Sequence, residues 1–142
     1  MRLSKKICVI DGQGGGIGAT LIKYLRNDLS EAVTLIALGT NDTASSAMLK
    51  AGANLAASGE NSICRTVNDA DIITGPVGIT WPNAMMGEVT PGIAEAIMSS
   101  FAYKILLPFT QESAEIIGVV KEPLPHMVEK AVNLIQEVLK NV

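Results

Sequence analysis

Short apolar runs alternate with helix-period stretches along nearly the whole chain, and this alternation sets the fold class. Residues 7–11 read as a first strand, and residues 17–27 as a helix with Ile17, Leu21, Tyr24 and Leu25 on one stripe. A second strand covers residues 33–38, and a second helix starts near Thr43 and stops at Gly52, placed as a left-handed cap. A third strand over 53–57, a short helix over 62–69 and a fourth strand over 71–74 follow. Thr90-Pro91 reads as an N-cap followed by proline at the first helical position, opening a helix to about residue 100. Strands over 103–107 and 115–120 precede a last helix over 125–140. That helix repeats Leu124, Met127, Val128, Ala131, Leu134, Ile135 and Val138 at helical spacing.

The pattern predicts an α/β, single-domain, Rossmann-like three-layer sandwich over residues 1–142. Its sheet is expected to be mainly parallel and six-stranded, in the order 3-2-1-4-5-6. Residues 108–114 are too few for a parallel crossover, so the sixth strand is predicted to run antiparallel to the fifth. That order puts the switch point between strands one and four. Their carboxyl ends carry residues 11–18 and 74–79, the two loops expected to meet at a ligand crevice.

Composition narrows the partners. Apolar residues make up 48% of the 142 and charged residues 18%, which suits buried parallel strands and leaves apolar surface for a subunit interface. The net charge is −3 and the basic residues are scattered, so a nucleic-acid partner is not expected. No apolar run nears the ~20 residues of a membrane span. The basic residues ahead of Ile7 precede a run too short for a signal peptide. Cys8 and Cys64 lack metal-type spacing and read as buried thiols in a reducing cytoplasm. His126 is the only histidine, so no serine triad and no histidine-rich metal site is expected.

The candidate chemistry lies in Asp11, Gly12, Gln13, Gly14, Gly15, Gly16, Ile17 and Gly18. Glycines between a strand and a helix let a backbone lie against a phosphate, with the helix N-terminus behind them. The spacing Gly12, three residues, Gly16-Ile17-Gly18 resembles the glycine motif of short-chain dehydrogenases, where it holds a dinucleotide pyrophosphate. That resemblance implies NAD or NADP as the cofactor. The family's Tyr-x-x-x-Lys is missing, because neither Tyr24 nor Tyr103 has lysine four positions on. The segments IDGQGGGIG, IALGTN, SAMLKAGA, GEN, GPVGI and GEVTP, in order, resemble a family of small bacterial proteins of unknown function, which implies a Rossmann-like fold.

Gly39, Thr40 and Asn41 end the second strand, where a ribose would lie, and Asn41 or Asp42 also reads as a helix cap. Gly75, Pro76, Val77 and Gly78 end the fourth strand opposite the glycine loop and are expected to line the cofactor or to form an ordinary turn. Asp11 is expected to orient backbone N–H groups, its more ordinary role, or to hold Mg²⁺ that bridges to phosphate. Glu60-Asn61 and Glu88 are loop candidates for acid–base work, or simply solvated. Residues 75–89, with Trp81, Met85 and Met86, form a lid, a dimer contact or plain core packing. The expected function is a nucleotide-binding sensor or regulatory module without dehydrogenase chemistry. The alternatives are a small enzyme acting on a nucleotide or phosphorylated metabolite, and an interaction module with a vestigial loop. A homodimer or higher homo-oligomer is expected in each case.

Overall fold

In the computed structural model, which describes residues 4–142, five parallel strands are hydrogen-bonded in the order β3-β2-β1-β4-β5. They are β1 (Lys5–Asp11), β2 (Val33–Gly39), β3 (Leu55–Ser58), β4 (Ile72–Pro76) and β5 (Tyr103–Leu107). Residues 1–3, the start of the basic flank, lie outside the described part. The helices are α1 (Gly16–Asp28), α2 (Asp42–Ala51), α3 (Glu60–Thr66), α4 (Pro91–Ser99) and α5 (Leu124–Leu139). The order of the first five strands is the expected one.

Alternation along each strand builds two cores, one on each face of the sheet. Ile7, Val9, Leu35 and Ala37 pack with α1, α2 and α5. Cys8, Ile10, Ile36 and Leu38 pack with α3 and α4. Both faces are covered, which is why the strands read as continuous apolar runs rather than as clean alternation. Burial pushes the Cys8 thiol up to about 12, so it stays protonated. Thr74, in the middle of β4, is fully buried, and its hydroxyl has no hydrogen-bond partner among the described residues.

The caps follow the sequence. Asn41 Oδ1 accepts from Ala44 N at 2.8 Å, and Thr90 Oγ1 accepts from Ile93 N at 3.2 Å. Gly52 closes α2 at φ +126°.

One element departs from expectation. Residues 115–120 form no strand, so the sheet has five strands, all parallel, rather than six with one antiparallel. The placement of α5 explains this. An antiparallel sixth strand would end at the amino end of the sheet. α5 instead starts at the carboxyl end, where Met127 shares a groove with Pro108 and Phe109. It then runs back to the amino end, where Lys5 Nζ donates to the carbonyl of Val142. Residues 108–123 therefore form an arm joining two points near the same rim. The arm bends at Ile117-Gly118, with Gly118 at φ +91°.

Candidate functional site

The parallel registers set Asp11 beside Gly39 and Pro76 beside Leu107, so the strand ends share one rim. At the switch point between β1 and β4, Asp11 is buried and turned back on its own loop. Its Oδ1 accepts from Gly12 N at 2.7 Å and its Oδ2 from Gly18 N at 2.7 Å. Burial raises the Asp11 pKa above the ordinary carboxyl value. The N–H groups of Gly18, Gly12 and Ile17 oppose that rise, and the charge of Glu88 adds to it. The expected orienting role of Asp11 is thus what the geometry displays.

The glycines divide into two groups. A Cβ on Gly12 would sit 2.5 Å from Thr40 Oγ1, and one on Gly18 would sit 2.5 Å from Met48 Sδ. Gly15 holds φ +75° with the backbone of Ala44 2.8 Å from where its Cβ would lie. Those three let the loop press on α2 and on its neighbours. Gly14 and Gly16 are exposed and would meet nothing.

Glu88 closes the loop from outside. Its Oε1 accepts from Thr40 Oγ1 at 2.6 Å, Gln13 N at 2.8 Å and Asn41 Nδ2 at 2.9 Å. Asn41 Nδ2 also reaches the Gln13 carbonyl at 3.0 Å. Burial pushes the Glu88 carboxyl up, but the bonds from Thr40, Gln13 and Asn41 together outweigh it and hold its pKa below the ordinary value. The segment carrying Glu88 is tightly folded. Asn83, Met85 and Met86 all take positive φ, and Asn83 N donates to the Val89 carbonyl at 2.6 Å.

Beside this latch lies a crevice of about 300 Å³. Asp11, Gln13 and Ile17 form one wall, Pro76, Gly78, Ala84 and Met85 a second, and Phe109, Thr110, Gln111 and Glu112 a third. Glu112 Oε2 accepts weakly from Met85 N at 3.4 Å, which joins two of the walls.

The other expected residues are dispersed. Gly39 donates to Ser45 Oγ at 3.1 Å, and Gly75 passes close beside β1, with the Ile10 carbonyl 2.1 Å from where its Cβ would lie. Val77 faces a second groove with Leu106 and Val120, away from the crevice. Asp42 accepts from Ser58 Oγ, and Glu60 accepts from Thr90 Oγ1 at the start of α4. Neither they nor His126, exposed in the first turn of α5, line the crevice. Trp81 and Met85 pack on the α4-side core, while Met86 is exposed. Phe109, Thr110, Gln111 and Glu112 went unread in the sequence. Their only signal was position, immediately after a strand whose carboxyl end faces the rim.

The nucleotide expectation is corrected by this geometry. A phosphate nest needs free donors. The N–H groups of Gly12, Gln13, Ile17 and Gly18 are held by Asp11 and Glu88, and that of Gly15 by the Gly12 carbonyl. Asp11 and Glu88 thus already take these N–H groups as acceptors. An NAD(P)-binding sensor, with NAD or NADP as its cofactor, does not fit this loop.

The chain belongs to the DUF3842 family, a domain of unknown function whose model matches residues 6–140. No curated protein matches it. Among solved structures, it is similar to a dodecameric FMN-dependent UbiX-like decarboxylase from Escherichia coli O157:H7. The identity is 13%, the match covers 94% of this chain and 75% of that one, and the TM-score is 0.44. That protein is named for FMN, not for a nicotinamide nucleotide. Among the described residues, no helix is long and apolar enough to cross a membrane.

Proposed function

We propose that this protein binds a small organic molecule in the crevice at the carboxyl ends of β1, β4 and β5. The ligand is neutral or cationic and bears hydroxyl or amine donors. The observation that carries this reading is the lining of the crevice: the carboxylates of Asp11 and Glu112 beside the apolar faces of Ile17, Met85 and Phe109. A small pocket with an apolar body and a few placed acceptors selects a donor-bearing ligand, and carboxylates in a lining that carries no lysine or arginine repel a phosphate. The volume sits at the lower end of small-molecule sites, below what a dinucleotide fills. Gln13, Pro76 and Gly78 complete the walls. Gly12, Gly14, Gly15, Gly16, Gly18, Gly39, Thr40, Asn41 and Gly75 shape the loops behind them.

Matched pairs test the charge preference: adenosine against AMP, riboflavin against FMN, and choline against phosphocholine, each followed by thermal unfolding and calorimetry. In at least one pair the member without phosphate should bind more tightly. At about 100 times its Kd it should stabilise by ~2.7 kcal/mol. Glu112→Gln should narrow the gap between the members of that pair. Tighter binding of the phosphorylated members, or no binding by any probe at millimolar concentration, sinks the reading.

A further inference from the structure

We infer that residues 115–121 form a self-recognition segment, through which two copies of this chain associate across a two-fold axis at Gly118. Residues 113–121 are all exposed, although Ile116, Ile117, Val119 and Val120 are among them. Ile117 is 93% exposed and Val120 73%. β-branched residues in such a run favour an extended, paired backbone, and the single chain gives this stretch no strand partner.

The order of residues identifies the occupant. Read outward from Gly118, Ile117 answers Val119, Ile116 answers Val120, and Glu115 answers Lys121. Two copies laid antiparallel about Gly118 therefore set apolar against apolar, and Glu115 against the partner's Lys121, twice over. A parallel arrangement would set like charge on like charge. An isologous contact needs a surface complementary to itself, and this segment is one. An unrelated partner would impose no such symmetry.

Local conformation permits the pairing. The bend at Ile117-Gly118 turns on Gly118 at φ +91°, and no atom lies near the position of its missing Cβ. Glycine moves between positive and negative φ at little steric cost, so the bend can open. Beside the segment lies a groove of about 510 Å³, formed with Val77, Leu106 and Met127, which can receive apolar side chains from the second copy. A contact this short is smaller than a permanent interface, so the association is concentration-dependent and reversible.

Sedimentation velocity from about 5 to 500 µM brackets the range expected of a weak interface. The wild type should pass from monomer to dimer within it. Ile117→Asp should stay monomeric with its fold intact by circular dichroism, since the side chain is exposed. Lys121→Glu should weaken association about tenfold. The double change Glu115→Lys with Lys121→Glu should restore it to within about twofold, because the charges are exchanged rather than lost. A wild type monomeric at every concentration overturns the inference and leaves the segment to a different partner. A double variant as weak as Lys121→Glu, or an Ile117→Asp variant that dimerises like wild type, overturns it equally.

Discussion

Gly15 and Gly16 are adjacent and face opposite demands. Gly15 holds φ +75° against the Ala44 backbone, whereas Gly16 sits at the first turn of α1 with open space around it. Gly15→Ala should cost about 2 kcal/mol or more, from backbone strain plus a contact that cannot relax. Gly16→Ala should instead stabilise by about 0.5–1 kcal/mol by restricting the unfolded chain. Urea titrations of the two variants check both signs. Asp11→Ala should cost about 1–3 kcal/mol, because it strands the N–H groups of Gly12 and Gly18 in a buried place. At this scale the sequence was half legible. Five glycines in seven residues announce a backbone that comes close to something. They do not say to what, and here much of the answer is α2 and a glutamate from far along the chain. No local pattern links Gln13 to Glu88, so the filling of the nest could not be read in advance.

One carboxylate oxygen ties the segment carrying Glu88 to the glycine loop, and that tie is sensitive to acid. Glu88 has a pKa below its ordinary value, so its contribution to stability is present above the ordinary carboxyl range and is lost as pH falls through the depressed pKa. Asp11, raised by burial, works the other way: its charged form is the costly one in the folded chain. Glu88→Gln should therefore lower hydrogen-exchange protection across residues 81–90 at pH 7. It should also remove the loss of protection that the wild type shows on acidification. Equal pH profiles for the two proteins would show that the latch does not hold the segment. Among elements, the caps were the most legible, because Asn41 and Thr90 act on neighbours three residues away. The least legible was the stretch over 115–120. Its residues favour a strand, but whether a strand forms depends on where α5 begins, and that is a property of the sheet and not of the segment.

For the molecule as a whole, the strand order through β5 followed from the alternation of apolar runs and helices, since parallel strands with short connections leave few arrangements. The last helix completes the fold. Val128, Ala131, Val132 and Ile135 of α5 are buried in the core shared with α1 and β5. Four such side chains contribute about 5–10 kcal/mol, comparable with the whole stability of a domain. A chain ending at Glu122 should lose its cooperative melting transition and bind a dye specific for exposed apolar surface; a truncated chain that still melts cooperatively would show the helix to be dispensable. The arm over 108–123 is thus moored at both ends, to β5 on one side and to α5 on the other. A loose tail can fray or be trimmed without consequence, but a moored bight cannot. The same stretch of backbone carries both the exposed tip and Phe109 to Glu112 at the crevice mouth, so it joins the outermost strand, the final helix and one wall of the pocket in a single span.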